Sequence, residues 1–398
     1  MQHATQHRIV VLGAGYTGAV AAGRLARRLR REDAAITLVN AEPHFVERVR
    51  MHQLAVGQDL APRSLDEMFA DTGVDLRIAT VTGVDVDQKT VAVTDPDGPG
   101  ELPYDTLVYA LGSAWNHQDV PGAVEHAHEI AGRSGALRLR ERLAGLEAGR
   151  SVVVVGGGLT GLEAASEIAE ARPDLDVALT ARGDLGDWLS PKGRRHLRKV
   201  FGALGITAHE NADVTTVAED HVVTADGTHV PAEVTVWTTG FAVHPMARAT
   251  TLDVTDTGRI VVDGTMRSVS HPDVYAVGDA ALAAGPGDKP LRMSCASGVP
   301  SAWQAADAIA ARLTGQKLPK VSPRYFNQCI SLGRRQGLIQ YVTADDRAVS
   351  AALTGRLAAL YKELVCKSAA WGVANPTLGM PTRRRPVAPR TPEPVPTV

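Results

Sequence analysis

The 398-residue sequence predicts an α/β fold made of two Rossmann-like parallel-sheet units, the second inserted in the first, followed by a small C-terminal hairpin and helix. Three observations carry this. Residues 8–27, RIVVLGAGYTGAVAAGRLAR, run from a β-branched apolar stretch through Gly13, Gly15 and Gly18 into an alanine-rich helical pattern. Residues 151–170, SVVVVGGGLTGLEAASEIAE, repeat that order with Gly156, Gly158 and Gly161. Two later segments, YDTLVYALGS at 104–113 and VTVWTTGF at 234–241, each run a strand into a glycine, one for each unit.

The GxGxxG spacing has a specific physics. The first glycine permits the tight strand-to-helix turn, the second lets the backbone approach a pyrophosphate, and the third lets the helix pack on the strand. Free N–H groups and the helix dipole then favour the phosphates. Gly13, Ala14, Gly15, Thr17 and Gly18 form one such cradle. Gly156, Gly158 and Gly161 form the other. Two cradles in one chain suggest an enzyme holding two dinucleotides face to face, commonly a flavin and a nicotinamide, between which hydride passes directly.

Composition narrows the class. The chain is 44% hydrophobic and 22% charged, enough for two or three domains with cores. A net charge of −2 supplies no basic field for nucleic acid. The three cysteines show no CxxC spacing, which points to a reducing compartment and away from both a zinc site and a redox disulfide. The thirteen histidines show no HExxH-type spacing, so no metal is expected. Without a signal-peptide core or a membrane-spanning run, the expected location is cytoplasmic, with peripheral membrane association as the lesser alternative.

Along the chain, residues 35–39 read as the second strand, ending at Asn40, where an acid usually accepts from the adenosine ribose. Residues 43–57, PHFVERVRMHQLAVG, are expected to fold back over the cofactor. Arg48 and Arg50 would then serve the pyrophosphate, with His52 and Gln53 near the flavin ring or substrate; a solvated amphipathic helix is the competing reading. Residues 76–93 read as an antiparallel piece turning at 87–89. Gly112 closes the first strand-into-glycine segment and Gly240 the second. Residues 115–149 read as a linker and a helix. After strand 177–180 an acid is absent and Arg182 follows Ala181, which favours NADPH over NADH because arginine pairs with a 2′-phosphate; a degenerate site that binds nicotinamide poorly is the other reading. DVYAVGDAALAA at 273–284 delivers Gly278 and Asp279, the carboxylate placed for a ribityl hydroxyl. Residues 298–314 predict a helix with Pro300 in its first turn. A hairpin turning at 333–336 and an amphipathic helix at 353–371 follow, for an interface or a membrane surface. Residues 376–398 read as a disordered tail rich in proline and arginine. The boundaries expected are 1–114 with 241–320 for the first unit, 115–240 for the second, and 321–375 for the C-terminal part.

GAGYTG, YDTLVYALGS, GGGLTGLE, WTTGF and DVYAVGDAA follow the order found in the pyridine nucleotide–disulfide oxidoreductase superfamily. Over residues 8–315 the chain resembles its type II NADH dehydrogenase-like branch, which lacks the redox disulfide. The resemblance implies FAD held by Gly13, Gly15, Gly18, Asn40, Gly112, Gly278 and Asp279, with Val81 near the adenine. It implies nicotinamide held by Gly156, Gly158 and Gly161, with Glu163 near the amide. In quinone-reducing members the helix after the Gly–Asp motif carries two glutamines; here Pro300 stands at the first position and Gln304 at the second.

The expected activity is an FAD-dependent oxidoreductase passing electrons from NAD(P)H to a small aromatic or quinone-like acceptor, with His52 and Gln304 as candidate catalytic residues. An FAD-dependent monooxygenase acting on an aromatic metabolite is the alternative, with the helix starting near Pro300 and a dry pocket around Trp303 shielding it from water; Pro300, Trp303 and Gln53 are the candidate substrate residues. A non-catalytic redox sensor that binds a partner is a third. A homodimer is also compatible with the C-terminal helix.

Overall fold

A computed structural model describes residues 6–319, 323–377 and 383–388. The first unit begins with β1 (His7–Leu12), α1 (Tyr16–Arg28) and β2 (Ala34–Asn40). It continues through α2 (Met51–Ala55), β3 (Val74–Ile78), an antiparallel meander, β4 (Thr106–Tyr109) and β5 (Ser113–Trp115). The second unit holds β6 (Ala127–Glu129), α3 (Arg133–Ala144), β7 (Ser151–Val155), α4 (Leu159–Ala171) and β8 (Asp176–Thr180). It closes with α5 (Pro191–Ala203), β9 (Thr207–His209) and β10 (Val234–Trp237). The chain then returns through β11 (Phe241–Val243), β12 (Val274–Ala276) and α6 (Cys295–Leu313). Strands β13 (Asn327–Ser331), β14 (Gly337–Val342) and β15 (Ala348–Thr354) and helix α7 (Arg356–Ala374) form the C-terminal part.

The first sheet has the order β12–β4–β1–β2–β3 and the second β6–β10–β7–β8–β9, all parallel. Parallel strands are covered on both faces, which is why β1 and β7 are near-continuous apolar runs. The first sheet takes β12 from far downstream, so the second unit is an insertion. Where the chain crosses between them, β5 and β11 pair antiparallel, Ser113 opposite Val243 and Trp115 opposite Phe241. This two-stranded ribbon joins the units.

Helices α1 and α6 lie together on the first sheet through small residues, Ala19, Ala22, Ala302, Ala305 and Ala306, all fully buried. Asp307 bridges them, accepting from Arg24 at 2.6 and 2.8 Å and pairing with Arg28 at 2.6 Å. In the C-terminal part, Gln340 is fully buried in β14. Its oxygen accepts from Ser190 N at 2.9 Å and its amide donates to Tyr341 O and Val349 O, fastening this sheet to the start of α5.

Four expectations need correction. The segment 43–57 is divided between the units: Phe45 packs on Tyr16 and Arg48 lies beside Gly112, whereas Met51, Leu54 and Ala55 are buried in the second unit's core with Ile130 and Leu139. Strand β6 lies inside the stretch read as a linker, because three half-buried residues carry no alternation to detect. Helix α6 starts at Cys295, before Gly298, so Pro300 stands inside it as the sixth residue, where it removes the hydrogen bond that an N–H would give to Ala296 O. The tail is ordered at 383–388, where Arg385 N donates to Arg28 O and Arg30 N donates to Arg385 O. Its remainder beyond 388 lies outside the described residues.

Leu54 is 2% exposed, so Leu54→Ala should lower unfolding free energy by about 2–4 kcal/mol in a denaturant titration. A change below about 0.5 kcal/mol would contradict the buried placement of α2.

Candidate active site

Both cradles are built the same way. Helix α1 starts from Gly15 at φ −71° and ψ −169°, with no side-chain cap and no acid in its first turn. Helix α4 starts from Gly158 at φ −79° and ψ −179°, again with neither. The first N–H groups of both helices therefore lack side-chain partners, a ready anion site. A Cβ at Gly13 would strike Ala110 O and one at Gly18 would strike Gly13 O, whereas one at Gly15 meets nothing within 4 Å. In the second unit Gly156 is closed by Thr238 and Gly161 by Gly156 O, and Gly158 again meets nothing within 4 Å. The open middle glycine beneath uncapped N–H groups fits a dinucleotide pyrophosphate in each unit.

Around the first cradle, the Thr17 methyl faces Gly278 and Gly298, so the starts of α1 and α6 and the Gly–Asp turn converge. Asp279 Oδ2 accepts from Ser113 Oγ at 2.6 Å. Gly112 (φ +68°) lies beside Arg48, which donates through Nε to Ala131 O at 2.9 Å and faces the Phe241 ring at 5.5 Å. The Tyr16 hydroxyl, one residue past Gly15, is buried with no hydrogen-bond partner among the described residues. Burial pushes its pKa well above the ordinary tyrosine value. Burial likewise pushes the Cys295 thiol up to about 12, so it is protonated at neutral pH. Val81 is half-buried against the first core, on the meander strand Thr80–Asp85. Gly240 (φ +73°) lies just past β10, beside Gln118.

Other expected site residues are committed elsewhere. Asn40 Oδ1 accepts from Ala14 N at 2.9 Å and its Nδ2 donates to Glu42 O at 2.7 Å, so it tethers the glycine loop. Arg50 pairs with Glu47 at 3.6 Å and Glu363 at 3.4 Å and donates to Gln53 Oε1 at 2.8 Å, which commits its guanidinium to protein partners and fixes the Gln53 side chain. Trp303 is 46% exposed with the Arg24 guanidinium over its ring, so it borders no dry pocket. The buried Gln304 donates to Gly264 O, not to an open acceptor site, and Pro300 is half-buried within α6. Arg182 lies on the surface, 3.1 Å from Asp213.

His52 and Glu163 belong to a buried charge cluster that sequence reading did not assemble. Lys362 of α7 reaches Glu163 at 2.9 Å, and Ser331 N donates to the same carboxylate at 3.0 Å. His52 lies 3.9 Å from Glu163 and 3.3 Å from Ser331 Oγ. Burial pushes His52 down to about 4, against Glu163 and with help from Lys362, so its ring is neutral and holds no mobile proton near pH 7. Burial works against the Glu163 charge, yet the Lys362 ammonium and the Ser331 N–H hold the carboxyl below its ordinary value. This corrects both assignments: Glu163 is turned into the α2–β13–α7 junction, where it pairs with Lys362. One turn on, Glu167 is almost fully buried, and burial lifts it to about 7 although Arg334 lies 3.7 Å away. Lys362 was visible in the sequence only as one charge among several on a helix, with no local sign of its partner.

The paired cradles, with Asp279 on the Gly–Asp turn, define an oxidoreductase that holds two dinucleotides in one chain. The chain belongs to the pyridine nucleotide-disulphide oxidoreductase family, whose model matches residues 7–310. Its cysteines are all free, as in the disulfide-lacking, type II NADH dehydrogenase-like branch. The NADH dehydrogenase-like protein YutJ of Bacillus subtilis (strain 168) is 27% identical over 334 residues, 83% of this chain and 91% of that protein. Demethylphylloquinone reductase NdbB of Synechocystis is 24% identical, covering 89% of this chain and 92% of that one. The NDH2 of Plasmodium falciparum, solved with NADH, superposes with a TM-score of 0.78 at 15% identity, covering 94% and 97% of the two chains.

Glu167 gives a pH test. The native state keeps this proton up to about pH 7, whereas the unfolded chain releases it near 4.5, so stability falls as pH rises between those values. Comparison with Glu167→Gln cancels the opposite contribution of His52. The wild-type minus variant unfolding free energy should fall on the order of 3 kcal/mol from pH 4.5 to 7. A flat difference would contradict the burial argument.

Proposed function

We propose that this chain oxidises NAD(P)H and reduces a quinone-like acceptor. FAD bound in the first cradle accepts hydride from the nicotinamide and supplies two electrons to the acceptor. The observation that carries this is the pair of open, uncapped helix starts joined by the β5–β11 ribbon. Gly15 and Gly158 leave room for one pyrophosphate each, and Asp279, held by Ser113, is the carboxylate available to a ribityl hydroxyl. The names of the relatives, an NADH dehydrogenase-like protein and a demethylphylloquinone reductase, support reduction of a quinone over oxygen insertion. The exposed Trp303 also removes the enclosed pocket that a monooxygenase would use.

Arg182 supports acceptance of NADPH. Its pair with Asp213 is surface-exposed on both sides, the kind of contact worth about 0–1 kcal/mol, so a 2′-phosphate can replace it. On the acceptor side, α7 turns Leu357, Leu360, Leu364 and Trp371 outward, the first three more than 60% exposed. No helix among the described residues is long and apolar enough to cross a membrane. We infer that this face rests on the lipid surface, where quinones dissolve.

Steady-state oxidation of NADPH and NADH by the FAD-loaded protein with a water-soluble quinone tests the reading. Arg182→Ala should raise KM for NADPH about 10–100-fold, the loss of a charge-assisted hydrogen bond, and leave NADH unchanged. No stimulation by quinone would overturn the acceptor assignment, and equal effects on the two donors would overturn the role of Arg182. Leu357→Ser with Leu364→Ser should abolish cosedimentation with lipid vesicles. Cosedimentation at the wild-type level would contradict the membrane face.

A further inference from the structure

The arginine tract at 383–385 has no part in the dinucleotide sites, yet it is fixed on the body. Arg385 exchanges backbone hydrogen bonds with Arg28 O (2.9 Å) and Arg30 N (3.1 Å), and Ala388 N donates to Leu313 O at 2.7 Å. Val387 N reaches Asp33 Oδ2 at 3.3 Å, and its side chain packs on the first core. Between this strap and the C-terminal ends of α1 and α6 lies a cavity of about 500 Å³, within the range of small-molecule sites.

The charge lining that cavity is one-sided. Arg28, Lys317, Arg383 and Arg385 face it with one acid, Asp307. That carboxylate is already occupied by Arg24 and Arg28. The side chains of Lys317, Arg383 and Arg385 have no hydrogen-bond or acidic partner among the described residues, whereas Arg24, Arg28 and Arg312 nearby are all paired. Burial, and then the like charges of Arg24 and Arg27, hold the Arg28 guanidinium below its ordinary range despite Asp307. Lys317, Arg383 and Arg385 are exposed, so solvent screens their mutual repulsion, and an anion that they share across the cavity mouth gains from all of them at once. A single carboxylate would leave most of this charge unmatched, while a phosphate with several charged oxygens matches guanidinium groups in number and geometry.

We propose that this cavity binds a multiply charged phosphate group, borne by a soluble polyphosphate or by an anionic lipid headgroup. It is separate from both cradles. Helix α1 presents its N-terminus to the first cradle and its C-terminus here, about 20 Å away along thirteen residues. The bound phosphate bridges the strap (Arg383, Arg385) to α1 (Arg28) and to the end of α6 (Lys317), and so ties the tail to the two helices that frame the first cradle. Nothing in it depends on which acceptor the enzyme uses.

The test is calorimetric titration of inorganic pyrophosphate into the FAD-loaded protein saturated with NADP, beside the Lys317→Gln, Arg383→Gln double variant. Cosedimentation of both proteins with phosphatidylcholine vesicles, with and without phosphatidate, completes it. Wild type should bind pyrophosphate, with at least tenfold weaker binding by the double variant at unchanged flavin absorbance and melting temperature. That result assigns the soluble source. A phosphatidate-dependent gain in cosedimentation that the double variant loses, without pyrophosphate binding, assigns the headgroup. Wild type binding neither, or the double variant binding as tightly as wild type, would overturn the site.

Discussion

Two helices in this protein begin on an open glycine set between two glycines that are packed shut. Every α-helix leaves its first four N–H groups without intrahelical acceptors, and most chains place a serine, threonine or acid there. Helix α5 does so, with Ser190 Oγ accepting from Gly193 N. Helices α1 and α4 instead start on glycines, with no cap and no acid in the first turn. In both, the flanking glycines are packed shut and the middle one is open. The parallel sheets, the returning strands β4 and β10 and the turns at Gly112 and Gly240 frame these two helix starts, and the β5–β11 ribbon joins the two units.

A second constraint fixes how the units and the C-terminal part sit together. The chain buries Glu163 and Lys362 in contact, with His52 and Ser331 completing the cluster. Such a pair adds little net stability over apolar residues, but loss of one partner leaves the other charge stranded, at a cost of about 3–5 kcal/mol. Geometry thus follows from charge: α4, α2, β13 and α7 must meet in one arrangement. The outer face of α7, free of that demand, is where the apolar side chains are exposed. The same helix therefore locks the second unit with one face and leaves Leu357, Leu360 and Leu364 exposed on the other.

The cradles were legible because their chemistry is local. Strand, three glycines and helix lie within a short window, and each glycine answers a contact inside that window or with the next parallel strand. Gly278 and Asp279 were readable for the same reason. The charge cluster was not, because Glu163 and Lys362 come from opposite ends of the chain and neither has an unusual neighbour. Asn40 holds a contact that its position at the end of β2 did not reveal: its amide oxygen accepts from the loop's own Ala14 N–H. Arg50 and Gln53 were read as a cofactor cover, whereas burial of Met51 and Leu54 pulls that turn into the second core. The strap at 383–388 had the composition of a disordered tail, and only the backbone partners at Arg28, Arg30 and Leu313 order it.

The central claim is that the open glycine in each cradle is where a pyrophosphate must come close. Gly15 and Gly158 both have dihedrals that any residue adopts, and both have room for a side chain, so Gly15→Val and Gly158→Val leave the fold unstrained while filling the phosphate space. The direct measurement is flavin absorbance of the two purified variants, followed by anaerobic titration with NADPH and NADH. The account predicts that Gly15→Val is colourless and that Gly158→Val keeps its flavin but is not bleached by either nucleotide. Normal bleaching of Gly158→Val, or full flavin content in Gly15→Val, would contradict it.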